Sequence, residues 1–181
     1  MTSSPFERPV RPVLTTFALA FVLVLAATAP LAVAQEDTEP TGFASVLAGY
    51  EALRLTLVAD STDGVRAEAE NIHRALAGLA GSFDSRSAAV AESESEAARV
   101  LIGELTAAAE ALAAAEGLEA VRDAFYELSK PLVRYRELME GERPVVAYCP
   151  MSKRSWLQPQ GEEVGNPYHG SSMPKCGKLL S

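Results

Sequence analysis

Seven apolar positions near the middle of the chain constrain its fold more than any other feature. Leu118, Val121, Phe125, Leu128, Leu132, Tyr135 and Met139 advance by 3, 4, 3, 4, 3 and 4 residues. That rhythm puts them all on one side of an α-helix and gives the helix a seam to bury against partners. Pro131 lies within the stretch, where it should cost one backbone hydrogen bond and bend the helix. Gly141 is expected to close it.

Three earlier stretches have the same character. From Gly42, the residues Phe43, Val46, Leu47, Tyr50, Leu53 and Leu57 share one helical face. Asp60-Ser61-Thr62-Asp63 reads as a stop and restart whose side chains can cap a second helix. That helix carries Val65, Ala69, Ile72, Leu76 and Leu79 inward and breaks at Gly81-Ser82. Residues 85–96 are polar and Ser-rich, in keeping with a loop or a frayed helix. Residues 97–115 are Ala-rich and strongly helical, with Leu101, Leu105, Ala108 and Leu112 inward and Gly117 as the stop. Four amphipathic helices with short connections predict an all-α fold, an up-down four-helix bundle over residues 42–140. His73 is expected on the solvated side of the second helix, and the acidic run 92–96 in a solvated face or loop.

The first 34 residues are of another kind. Arg8 and Arg11 precede the apolar run 13–27, then Pro30, then Ala32-Val33-Ala34. A basic flank, an apolar core and an A-x-A triplet are the parts of a secretory signal peptide. The apolar run is shorter than the roughly 20 residues that a spanning helix needs. We therefore expect export to the periplasm or another extracytoplasmic space, cleavage after Ala34, and no membrane segment thereafter; an uncleaved anchor is the alternative. Residues 35–41 read as a flexible lead. Without residues 1–34 the chain has 14 basic and 23 acidic residues. This acidity argues against nucleic acid as a partner.

At Glu142 the helical periodicity ends. Residues 141–181 are rich in Pro and Gly and hold 5 basic and 3 acidic residues. Trp156, Tyr148 and Tyr168 need a surface to bury against, so this tail is expected to fold back on the bundle. It should be irregular, with a short strand over residues 145–148 that is compatible with a β-hairpin, and a turn at residues 163–165. It also contains both cysteines of the chain, in Cys149-Pro150-Met151 and in Met173-Pro174-Lys175-Cys176. Thiolate and thioether are soft donors that favour Cu(I) over hard cations. Convergence of the two ends would assemble Cys149, Met151, Met173 and Cys176, with His169 as a fifth donor. The competing reading is a disulfide, the usual state of two cysteines in an exported protein. A Cys149–Cys176 bridge would contribute about 3 kcal/mol by closing its loop. The chain has no phosphate loop, no H-E-x-x-H and no Ser/His/Asp arrangement. The cysteines are too far apart for a C-x-x-C redox motif, so an enzyme is not expected.

The tail resembles a family of periplasmic four-helix domains of unknown function, found alone or fused to the adaptor subunits of copper and silver efflux pumps. The resemblance is carried by Cys149-Pro150-Met151, Trp156-Leu157, Asn166-Pro167-Tyr168-His169-Gly170 and Met173-Pro174-Lys175-Cys176-Gly177, in that order. More loosely, residues 50–60 and 124–129 resemble its first and last helices. It implies copper binding or copper handling outside the cytoplasm, with Cys149, Met151, Met173 and Cys176 as ligands. His169 stands where the family usually has an aromatic residue. A heavy-metal efflux pump or another envelope protein is the implied partner. A disulfide-stapled interaction module without metal is the second expectation.

Overall fold

The computed structural model describes residues 42–180. The expected signal peptide (residues 1–34) and the whole of the flexible lead (residues 35–41) lie outside them, as does Ser181. Four α-helices come first: α1 Phe43–Val58, α2 Val65–Gly81, α3 Ser95–Ala114 and α4 Leu118–Leu138. Three strands follow: β1 Val145–Cys149, β2 Arg154–Gln158 and β3 Lys178–Leu180. The fold is thus four helices with a small C-terminal antiparallel sheet of order β2-β1-β3; the hairpin allowed for in the tail is present as β1–β2, and the third strand takes the chain beyond an all-α fold.

The apolar periodicities account for the helical part. On α2, Val65, Ala69, Ile72, Leu76 and Leu79 are the buried residues. On α4, Val121, Phe125, Leu128, Leu132 and Tyr135 are buried, and the helix runs on through Pro131 to Leu138, three residues short of Gly141. On α3 the inward set is Ala98, Leu101, Ile102, Leu105, Ala109 and Leu112, so Ala109 replaces the expected Ala108. A step of four from Leu105 keeps closer to the 3.6-residue turn around a broad buried face. Sequential helices pack on one another. Between α1 and α4 the contact includes two ring stacks, Phe43 on Tyr135 at 3.8 Å and Tyr50 on Phe125 at 4.7 Å. Stacked rings of this kind add about 1 kcal/mol each beyond their burial.

Four local expectations need correction. The 60–63 segment does not cap α2, whose first turn follows Gly64 in a left-handed conformation without a side-chain cap; Asp60 instead bonds Arg122 and Ser171. Residues 85–89 are turns followed by a 3₁₀ turn, Glu92–Glu94, and α3 begins at Ser95 rather than at residue 97. It ends at Ala114, leaving Gly117 as the residue that leads into α4. Residues 163–165 form no turn, because the buried Gln158 side chain takes their polar groups. Its Nε2 donates to the carbonyls of Glu162 and Glu163, and its Oε1 accepts from Gly165 N–H. Turns fall instead at residues 160–161 and 167–169.

β1 and β2 form a hairpin in which Cys149 opposes Arg154. β3 pairs with the other side of β1, Tyr148 opposite Lys178. β2 lies on α4, with Trp156, Leu157 and Gln158 all buried. Tyr168 packs its ring between α4 and Trp156. The tail therefore extends the hydrophobic core instead of coating it.

Two buried arginines fasten this layer to the helices. Arg54 of α1 donates to Gly165 O at 3.1 Å and bonds Glu51 and Glu162. Arg122 of α4 donates through Nε to Pro167 O at 2.9 Å and through Nη2 to Leu57 O at 3.3 Å, and it pairs with Asp60. Asp60 also accepts from the backbone N–H and the hydroxyl of Ser171. Gly170 sits at φ 50°, and a Cβ there would collide with Asp60 Oδ1 and Arg122 Nη2. Only glycine suits both the left-handed backbone and the close approach.

Candidate thiol site

The hairpin and β3 bring the two cysteines together. Cys149 closes β1 and is fully buried; Cys176 precedes β3 and is partly exposed. Their Sγ atoms are 3.4 Å apart, and both are free thiols. A disulfide requires about 2.05 Å, so this is a contact between unbridged sulfurs.

The turn after β1 decides their charge. Residues 150–153 form it, with Lys153 taking the left-handed step at φ 58°. Burial alone pushes the Cys149 thiol up. The Ser152 hydroxyl and backbone N–H, the Cys176 thiol and the Met151 N–H outweigh it and bring the group down to about 6. Ser152 Oγ is buried without a well-aligned partner, so its pull on the sulfur is that of a nearby dipole rather than a directed hydrogen bond. Turn N–H groups converging on one atom make an anion-binding concavity. Cys176 moves the opposite way: its hydrogen bond to Cys149, then burial, then the charge of Cys149 all raise it. The first proton to leave the pair is thus that of Cys149, and the Cys176 thiol is held more firmly in its protonated form.

The remaining candidates are placed differently. Met151, in the turn between β1 and β2, is 67% exposed, and Met173 is 37% exposed, so neither residue is buried with the thiols. His169 is half-buried; its Nε2 is buried and has no hydrogen-bond partner, while its backbone N–H is held by Asn166. Among the described residues, no group of three or more His, Cys, Asp or Glu side chains is arranged to hold a metal. A surface pocket of about 210 Å³, lined in part by Leu47, Glu51, Glu142, Arg143, Pro144 and Gln160, includes none of the candidates. No described helix is long and apolar enough to cross a membrane.

Reasoning from the sequence did not single out the buried polar residues Arg54, Arg122 and Gln158, and named Asn166 only as part of a tail motif, without a role for its side chain. A signal was present for the arginines. Arg54 follows Leu53 and is four residues from Tyr50, and Arg122 is three residues from Phe125, so each interrupts an apolar stripe. No family model, curated protein or solved structure matches the chain.

Proposed function

We propose that the protein is an exported binder of a soft metal ion, Cu(I), in copper handling or efflux at the cell envelope. The observation that supports this most directly is the unbridged 3.4 Å contact between the Cys149 and Cys176 thiols. One of them is poised to lose its proton near neutral pH. Two sulfurs in contact can share one soft cation, and Cys149 offers it a thiolate without a large deprotonation cost. The donor set fits the ion: Cys149 and Cys176 would hold it, and Met151 and Met173 on the adjoining loops supply thioethers more open to solvent. His169 Nε2 is an uncommitted nitrogen donor in the same tail. The ion would be cargo, and the protein a carrier, buffer or sensor rather than an enzyme. In this reading residues 1–34 are a signal peptide, the four helices form an up-down bundle as scaffold, and an efflux component is the partner. The tail motifs ally the chain with the periplasmic domains of copper and silver efflux systems.

Titration of the reduced protein with Cu(I) against a competing chelator tests the proposal. The parent should bind tightly and a Cys149→Ser/Cys176→Ser variant weakly; equal binding would sink it. The same contact also favours a second reading, a disulfide-stapled module that docks through its helices. A small closing movement would join the sulfurs in an oxidising compartment. The mass of non-reduced protein separates the two, since a bridge removes about two hydrogens. A bridge that survives the redox poise of the envelope excludes metal binding by these thiols.

A further inference from the structure

Cys149 and Cys176 reach one another from unequal supports. Cys149 is fixed by the β1–β2 ladder, which extends to its own pair with Arg154. Cys176 follows five exposed residues, 171–175, and its segment has only one hydrogen bond of its own, Cys176 N–H to Met173 O at 3.1 Å. The segment is gripped from outside. Gly177 lies against Trp156, where an added Cβ would meet the indole at 2.9 Å. Asp60 holds Ser171 at the start of the segment, Glu163 pairs with Lys175, and the pairing of Lys178 with Tyr148 fixes the chain beyond it; the grip on Cys176 itself is Asn166.

Asn166 is 0% exposed, and every polar group it has is engaged. Its backbone N–H donates to Pro174 O at 2.8 Å, and its Nδ2 donates to Cys176 O at 2.6 Å. Its Oδ1 accepts from the N–H groups of Tyr168 at 2.8 Å and His169 at 3.2 Å, and its carbonyl accepts from Gly170 N–H at 3.1 Å. One set of bonds folds residues 166–170 into a compact turn. The other holds the chain at two points two residues apart, the second being Cys176 itself. The turn is anchored in its own right, because Tyr168 OH donates to Ser155 O of β2 at 2.7 Å and Pro167 O accepts from Arg122. A continuous chain of bonds thus runs from α4 and β2, through Asn166, to the cysteine that lies outside the strands, two residues before β3.

We propose that Asn166 is the positioning residue of the thiol pair: it holds Cys176 against Cys149 and so sets the effective concentration of one thiol at the other. The inference rests on the reading that this pair is the functional site, but not on which metal occupies it. The chemistry of the position calls for asparagine. Aspartate keeps the acceptor for Tyr168 and His169 but turns a carboxylate toward the Cys176 carbonyl. Serine keeps a shorter acceptor and cannot reach that carbonyl. Two thiols on a flexible loop see each other at roughly millimolar concentration, whereas a preorganised pair exceeds that by orders of magnitude.

The test is equilibration of the protein with glutathione, which needs no metal. Protein dithiol and oxidised glutathione exchange to protein disulfide and two molecules of reduced glutathione, and the equilibrium ratio is the effective concentration. Asn166→Asp and Asn166→Ser should each lower it by about tenfold or more, the factor expected from loss of a short hydrogen bond to the part-buried Cys176 carbonyl. Alkylation of Cys176 in the reduced protein should become faster, while the far-ultraviolet circular dichroism of α1–α4 and the emission of Trp156 stay those of the parent. Effective concentrations within twofold of the parent in both variants would overturn the proposal. So would loss of native Trp156 emission in both, which would make Asn166 a support of the whole tail rather than of the thiol. A parent that binds no Cu(I) yet shows the tenfold fall would sink the metal reading and leave this one standing.

Discussion

Replacing Arg122 with methionine tests whether the tail is part of the core. The substitution keeps the long apolar stem, which packs in the interior, and removes the guanidinium. Arg122 is 6% exposed. Without it, Pro167 O and Leu57 O each lose a buried donor. A buried carbonyl left unpaired, as Pro167 O would be, costs about 1–3 kcal/mol; Leu57 O loses less, because it keeps the Asp60 N–H at 3.1 Å. Asp60 adds less than a fully buried carboxylate would, because its side chain is 32% exposed and keeps both bonds from Ser171. The Glu119 pair is with a side chain in open solvent and contributes little. The total is about 2–4 kcal/mol, a large share of the roughly 5–15 kcal/mol that stabilises a domain. Urea unfolding should be followed both by circular dichroism, which reads the helices, and by the fluorescence of Trp156, which reads the tail. With a slope of about 2 kcal/mol/M the midpoint should fall by roughly 1–2 M, and by the same amount in both signals. A loss under about 0.5 kcal/mol, or a shift confined to Trp156, would refute the reasoning, since the tail would then be docked rather than integrated.

Further outcomes follow from the same geometry. Gly170→Ala puts a methyl group into Asp60 and Arg122 at a left-handed φ of 50°; it should cost about 2 kcal/mol or more, read as a melting temperature lowered by at least roughly 4 °C, and an unchanged value would count against the clamp. Cys149 is depressed in the folded state, to about 6. Its contribution is full above the pKa of the unfolded thiol and is lost as pH falls through about 6. The stability advantage of reduced parent over Cys149→Ser should therefore grow from pH 6 to pH 9, and a flat difference in urea midpoints would contradict the thiolate. Asp60 is held to about 2, first by the Ser171 hydroxyl and N–H and then by Arg122. Its contribution is present above the ordinary carboxylate range and disappears as pH falls through about 2. The penalty of Asp60→Asn should vanish at that acidity, and a penalty that persists there would place its origin elsewhere.

Most of the helical part was legible because helix burial is periodic. The five expected inward residues of α2 are its buried residues, and the core positions expected on α1 and α4 are buried or nearly so, whatever the sequence between them. The tail was less legible. β1 was marked by its apolar residues, but β3 is short, and its pairing with β1 joins residues 146 and 180, which no local pattern connects. Convergence of the cysteines could be read from their near-mirror motifs. The positions of the thioethers and of Asn166 could not, because they depend on turn geometry and on which buried amide meets which carbonyl. Asp60 shows the same limit. Its neighbours and spacing suited a helix cap, yet a cation and a hydroxyl distant in sequence compete for it and win.

The arginine clamps also order events in time. Asp60 and Ser171 are 111 residues apart, and Tyr50 and Leu157 are 107 apart. As the chain emerges N-terminus first, whether from the ribosome or from a membrane, the four helices are free before the residues that complete them. In that interval Arg54 and Arg122 lack their tail carbonyls, and the face that will receive Trp156 is open. Long-range contacts of this kind close last. The encounter of Cys149 with Cys176 is accordingly among the final events of folding, and a thiol pair in contact marks a molecule that has been finished.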